Sequence, residues 1–260
     1  MHVSVLGYGE AGRRLAADLV IAGVKVTAFD IRPVEPADGV ALKTSIAEAV
    51  EGADLVLSLT TSAGSVAAAR GVAAHVDPNA VYADMNAASP ARKAEVGAEL
   101  GSGLYVDVAI LAPVTRAGVR TPVLACGPGA ARLVELLGPL GASIDVIEGE
   151  PGAATARKLL RSIFMKSLAT TVLESLTAGR VAGCEEWVRA QVVAELGAGG
   201  EALVDRLVKG TYQHARRRLH EMEDTRDYAR HLGTPHDMTL ASISWLTAID
   251  RGERQALAGG

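Results

Sequence analysis

Three things are scarce in this chain: aromatic residues, cysteine and an excess of charge of either sign. Aromatics make up 3% of the 260 residues while hydrophobic residues reach 49%, with alanine and glycine plentiful. That balance argues against an aromatic-rich β fold and suits helices packed closely on a parallel sheet. The two cysteines, Cys126 and Cys184, supply neither a disulfide framework nor metal-ligand spacing, and no metal is expected. A formal net charge of −4 offers no electrostatic case for nucleic acid or an anionic membrane as partner. No apolar run is long enough to span a bilayer, and the first β-rich run begins at residue 2, which leaves no room for a signal peptide. The expectation is a cytoplasmic protein of one or two domains.

What is present is concentrated in residues 2–30. A β-rich run, His2 to Leu6, is followed at once by Gly7-Tyr8-Gly9-Glu10-Ala11-Gly12. A helical pattern through Leu15, Leu19, Val20 and Ile21 closes at Gly23, and a second apolar run ends in Asp30. In a strand–G-x-G-x-x-G–helix–strand unit the first glycine permits the turn, the second lets backbone approach a pyrophosphate, and the third lets the helix pack closely. The unpaired N–H groups and dipole of the helix N-terminus then hold the phosphates. Asp30 lies 18 residues beyond Gly12, near the spacing at which a carboxylate meets the adenosine ribose. Residues Gly7, Tyr8, Gly9, Glu10, Ala11, Gly12 and Asp30 are therefore candidate dinucleotide contacts. The carboxylate tilts the choice to NAD, whereas Arg32 offers a partner to the 2′-phosphate of NADP.

Downstream, apolar runs at 54–60, 80–84, 104–110, 121–125 and 143–147 alternate with helical segments at 44–51, 62–74, 89–100 and 128–137. The alternation predicts an α/β domain, a mostly parallel, doubly wound Rossmann sheet, over about residues 1–150. Ligands sit beyond the carboxyl ends of such strands, which singles out Thr60, Thr61 and Asn86. With Ser62, the two threonines are equally candidate caps for the next helix, and the bland role of Asn86 is a loop turn. After Gly152 the strand signals stop. A long helix over 153–183 and further helices over 185–196, 201–209, 211–232 and 237–249 predict an all-helical domain at 151–260. Lys158, Ser162 and Lys166 recur at i, i+4 and i+8 on one face of the long helix, with Arg157 and Arg161 alongside. A lysine on a buried helix is prepared for proton transfer by desolvation; the alternative is a stem that snorkels to solvent. Arg216 to Arg218 and Glu221 to Asp224 have the spacing of a self-paired, solvated face.

With these pieces assembled, the chain resembles the β-hydroxyacid dehydrogenase and 6-phosphogluconate dehydrogenase superfamily over its whole length. The carrying residues are Val5 to Gly12, the segment Asp84-Met85-Asn86-Ala87-Ala88-Ser89-Pro90, and Gly152-Ala153-Ala154-Thr155-Ala156-Arg157-Lys158, similar to a G-x-G-x-x-x-K segment whose second glycine is lost. Two departures are visible. Asp107-Val108-Ala109-Ile110-Leu111-Ala112-Pro113 lacks the family's Ser-Gly-Gly substrate cradle, and Ser162 replaces an asparagine. The pattern is similar to a branch with a phosphogluconate-dehydrogenase-like C-terminal domain of uncertain substrate.

The resemblance implies an NAD(P)-dependent dehydrogenase acting on a small hydroxylated acid or polyol, with nicotinamide at the interdomain cleft. Lys158 is then the proton-transfer lysine, Ser162 and Asn86 orient substrate oxygens, and Ile110, Leu111, Arg161 and Lys166 are substrate contacts. Two rivals stand beside it. One is an imine or ketone reductase on the same scaffold, favoured by the apolar Ile110-Leu111-Ala112 run; the other is a non-catalytic NAD-binding sensor or scaffold. The long apolar helix further suggests a homodimer through the helical domain.

Overall fold

Short runs of β-branched residues and leucine, separated by alanine-rich helices, assemble into one eight-stranded sheet in the computed structural model, which describes residues 1–101 and 104–254. The elements are β1 (His2–Leu6), α1 (Glu10–Ile21), β2 (Lys25–Phe29), β3 (Val40–Leu42), α2 (Ile46–Val50), β4 (Leu55–Ser58), α3 (Ser65–Ala73) and β5 (Val81–Asp84). They continue with α4 (Pro90–Glu99), β6 (Leu104–Ile110), α5 (Val114–Ala117), β7 (Val123–Cys126), α6 (Ala130–Leu137) and β8 (Ile144–Val146). Strand order is β3-β2-β1-β4-β5-β6-β7-β8, and the pairing is parallel except between β6 and β7. This is the expected mostly parallel α/β sheet.

Both faces of the sheet are covered, which is why β1 and β4 are buried at every position. The period of two sorts their side chains. Leu55 and Leu57 enter the layer that holds Leu15, Leu19 and Leu133, while Val56 enters the layer of Ala49, Val72 and Val96. Each such fully buried aliphatic side chain contributes about 1.5–3 kcal/mol. Gly12, Leu15, Ala16 and Leu19, spaced i, i+3, i+4, i+7, form the stripe that α1 lays on the sheet. The order reverses between β1 and β4, and the crevice beyond their carboxyl ends is where such sheets take ligands.

The chain divides into two compact units, Met1–Lys158 and Leu159–Gly260. Helix α7 (Ala153–Val181) begins in the first and continues in the second, followed by α8 (Glu185–Leu196), α9 (Gly200–Gln213), α10 (Ala215–His231) and α11 (Asp237–Asp250). Among the described residues the second unit is all-helical, around a core that includes Leu173, Leu176, Val204, Leu207 and Trp245.

Three elements depart from expectation. The edge strand β3 and the one-turn α5 are too short to show a period in the sequence. Helix α9 runs through Gly210 and Thr211, where a break was expected. A Cβ on Gly210 would lie 3.0 Å from an Arg218 guanidinium nitrogen, and Thr211 Oγ1 donates to the Leu207 carbonyl at 2.5 Å. The glycine there makes room for an arginine and does not end a helix.

Candidate functional site

The turn from β1 into α1 has the geometry that its glycines predict. Gly7 has φ +89°, and a Cβ on it would lie 2.3 Å from the Leu59 carbonyl oxygen, so side chains are excluded twice over. A Cβ on Gly12 would lie 2.2 Å from the Gly7 carbonyl oxygen, which fixes the close approach of α1. Gly9 differs. What the described residues place near its Cβ position is an Arg32 guanidinium nitrogen at 4.0 Å. Gly9 is also the N-cap of α1, and no side chain among the described residues caps that helix. The first-turn N–H groups therefore open onto space that a Cβ would begin to fill, bounded by a cation. That cradle fits a pyrophosphate.

The flanking residues are positioned by the same turn. Asp30, at the end of β2, accepts from the Tyr8 N–H at 2.8 Å through one oxygen and from the Arg32 N–H at 2.9 Å through the other. Its side chain is 6% exposed, against 71% for Arg32, with which it also pairs at 3.4 Å. The Tyr8 ring does not face the cradle. It is buried, its hydroxyl accepts from the Ala37 N–H at 3.2 Å, and Arg13 lies over it at 5.4 Å. At Tyr8, a cofactor would meet backbone alone. Glu10 is exposed and Ala11 half-buried in the first turn of α1.

At the end of β4 the two threonines separate in role. Thr61 Oγ1 accepts from the Gly64 N–H at 3.1 Å and so caps the turn into α3. Thr60 Oγ1 donates to Asn86 Oδ1 at 3.3 Å. Asn86 requires a correction, because its carboxamide is turned inward. Nδ2 donates to Asp84 Oδ1 at 2.8 Å and to Ser58 Oγ at 3.1 Å, and the residue is buried. It holds the loop after β5 and does not reach outward to orient a substrate.

That loop sits on a polar cluster that sequence reasoning missed. Asp84 and Asp107 are direct partners on the adjacent parallel strands β5 and β6, and both are fully buried. Lys93, also fully buried on α4, pairs with Asp84 Oδ1 at 3.0 Å and Asp107 Oδ1 at 3.5 Å, and donates to the Asp84 carbonyl at 2.6 Å. The Tyr105 hydroxyl donates to Asp84 Oδ2 at 3.3 Å; burial, with both carboxylates beside it, pushes its pKa far above the usual phenol value. Burial likewise raises the Cys126 thiol, whose Sγ is 3.7 Å from Asp107 Oδ2. The signal available in the sequence was two acids within apolar strands, Asp84 at the end of β5 and Asp107 at the middle of β6, since like charges side by side in a sheet demand a buried cation.

Lys158 is half-buried on α7, in the last turn of that helix within the first unit. Ile110 is half-buried at the end of β6 and packs on the core beneath it, and the Leu111 N–H donates to the Pro122 carbonyl at 3.0 Å. In the second unit Arg161 is exposed and Ser162 is buried. Lys166 Nζ donates to Ser162 Oγ at 3.3 Å and pairs with Glu221 at 2.7 Å. Lys166 is thus held by α10, and two members of the expected self-paired face of that helix point elsewhere: Glu221 reaches across to α7, and Arg218 donates to Thr211 Oγ1 at 2.5 Å. Burial lowers the Arg218 pKa.

Comparison with known proteins agrees with this geometry. Residues 2–118 match the NAD binding domain of 6-phosphogluconate dehydrogenase, and residues 180–249 match a domain of unknown function, DUF1932. A 28.5 kDa uncharacterized protein of Methanothermus fervidus is 26% identical over 227 residues, 85% of this chain and 88% of that one. The conserved protein MTH1747 of unknown function, itself described as structurally similar to 3-hydroxyacid dehydrogenases, is 28% identical with a TM-score of 0.77, over 99% of this chain and 100% of that one. A 3-hydroxyisobutyrate dehydrogenase from Salmonella typhimurium shares the fold at 21% identity and a TM-score of 0.80, over 98% and 96% of the two chains. Residues 2–118 are thus similar to the NAD binding domain of 6-phosphogluconate dehydrogenase, ahead of a segment that matches DUF1932, on a fold shared with a protein described as structurally similar to 3-hydroxyacid dehydrogenases.

Proposed function

We propose that the protein is an NAD(P)-dependent dehydrogenase of a small hydroxy acid or polyol, with Lys158 as its general acid and base. The observation that carries the reading is the uncapped N-terminus of α1 with open space over Gly9, a cradle for a dinucleotide in a chain whose relatives include dehydrogenases. The bound nicotinamide supplies the hydride chemistry. Gly7, Gly9 and the first-turn N–H groups of α1 hold the dinucleotide. Lys158 takes the proton from the substrate hydroxyl during oxidation and returns it during reduction. Arg161 meets the substrate's anionic group, and Ser162, one turn beyond Lys158 on α7, steadies the helix face through Lys166.

The test is Lys158→Ala assayed on a panel of hydroxy acids that includes 3-hydroxyisobutyrate, glycerate and serine, with nicotinamide fluorescence followed in parallel. The expected outcome is cofactor binding near wild type and turnover reduced by about a thousandfold; retained turnover sinks the assignment. The same panel carries cyclic imines, because Ile110 and Leu111 stand where a backbone cradle for a carboxylate was expected. Preferential imine reduction selects the reductase reading. Tight cofactor binding without turnover on any member selects a sensor.

Asp30 places negative charge where a 2′-phosphate would lie, and Arg32 offsets it, so a modest preference for NAD is part of the proposal. So is a homodimer formed by the helical unit. Val181 and Trp187, 87% and 66% exposed, lie on that unit at and just after the end of α7. Light scattering after size exclusion is expected to give twice the chain mass of 26.8 kDa; a monomer ends the idea.

A further inference from the structure

The buried cluster around Lys93 does something that packing alone does not require. Helix α7 needs an N-cap, and the residue in that place, Gly152, is unable to supply one. It has φ +104°, and a Cβ on it would lie 2.7 Å from the Pro90 carbonyl oxygen, at the start of α4. The N–H groups of the first turn still need acceptors in a buried position. Asp107 meets the need from β6. Its Oδ2 accepts from the Gly152 N–H at 3.1 Å and the Thr155 N–H at 3.0 Å, while Oδ1 accepts from Thr155 Oγ1 at 2.8 Å. The Thr155 N–H is the one that a cap side chain at Gly152 would take.

From Asp107 a continuous set of contacts leads back to the dinucleotide turn. Lys93 bridges Asp107 to Asp84, Asp84 accepts from Asn86, and Asn86 accepts from Thr60. Thr60 stands beside Gly7, since a Cβ on Gly7 would lie 2.8 Å from the Thr60 nitrogen. Every residue from Asn86 to Thr155 in this set is buried. Two carboxylates and one ammonium are an expensive filling for a core. Apolar residues of similar volume serve stability as well or better, and fully satisfied polar clusters are valued for fixing one arrangement.

We propose that Asp107, held by Lys93 and Asp84, is a positioning residue that caps α7 from the sheet and ties its first turns, Lys158 among them, to the cofactor turn through Asn86 and Thr60. The assignment rests on Lys158 as the acid and base. Binding of dinucleotide beside Gly7 and Thr60 is then felt at the first turn of α7 as a tightening of the cap.

Hydrogen–deuterium exchange of the peptide spanning 152–160, with and without saturating NADH or NADPH, tests this on the full chain. In the wild type the cofactor is expected to slow exchange there. Thr155→Val, which keeps the shape and removes one hydrogen bond, is expected to exchange about tenfold faster and to lose the cofactor effect, with cofactor affinity within about twofold of wild type. Thr155→Ser, which restores the hydroxyl, is expected to recover both. Asn86→Ala is expected to keep the basal protection of α7 and lose the cofactor effect. No cofactor effect in the wild type, wild-type exchange in Thr155→Val, or no recovery in Thr155→Ser overturns the proposal. Turnover is not a readout here, so an active Lys158→Ala sinks the acid–base assignment without touching the cap.

Discussion

Among the helices of the first unit that start from glycine, α1 and α7 resolve the same shortage of acceptors in opposite ways. At α1, Gly9 leaves the first-turn N–H groups open to space bordered by the Arg32 guanidinium. At α7, Gly152 is just as bare, but Asp107 reaches in from β6 and takes two backbone N–H groups and a hydroxyl. The difference separates a binding site from a joint. At α1, where the chain supplies no anion, a ligand's phosphate would be the missing partner; at α7, where a distant strand supplies one, the helix is fastened to the sheet.

The comparison breaks most sharply at the joint. Asp107→Ala leaves Lys93 and the first turn of α7 without their carboxylate, and the expected loss of stability is about 3–5 kcal/mol, read as a drop in the urea midpoint. An unchanged midpoint would show that the cluster is idle. Next comes the open helix, where two glycines two residues apart should behave differently. Gly7→Ala forces both a left-handed φ and a backbone clash, costing about 3 kcal/mol of stability. Gly9→Ala meets little resistance within the protein, so it should fold with a normal melting temperature and weaken dinucleotide binding about tenfold or more, a difference of about 1.4 kcal/mol. Equal effects of the two substitutions on stability would mean that the space over Gly9 is not reserved for a ligand. The smallest expected effect is at the rim. Arg32→Ala removes the cation that offsets Asp30 and should worsen NADPH binding by about fivefold while leaving NADH within about twofold, as measured by fluorescence titration.

The open terminus was legible in the sequence and the joint was not, and the reason is chain distance. Gly7, Gly9, Gly12 and Asp30 fall within one local unit whose spacing maps onto geometry. The cap on α7 depends on residues from three separate elements, and its parts look ordinary in isolation: Lys93 resembles any helix lysine, and Asp107 and Thr155 stand 48 positions apart. Helical spacing singled out Lys158 and Lys166, and strand order singled out Asn86, but none of these signals carries the partners that each side chain takes in the fold. The sequence signals that a polar residue is near a site, and only packing shows that Asn86 faces Asp84 and that Lys166 faces Glu221. The segment 200–213 was cut too early because glycine and threonine are weak helix formers, an effect that tertiary contact with Arg218 overrides.

Burial of Cys126 beside Asp107 has a practical corollary. Its thiol is walled in and its ionisation suppressed, while Cys184 is exposed at the start of α8. Thiolate, not thiol, reacts with maleimides, so the native chain carries one addressable sulfur. A fluorophore placed there lies three positions before Trp187 in the sequence, and quenching between the two gives a label-based gauge of self-association that needs no engineered cysteine.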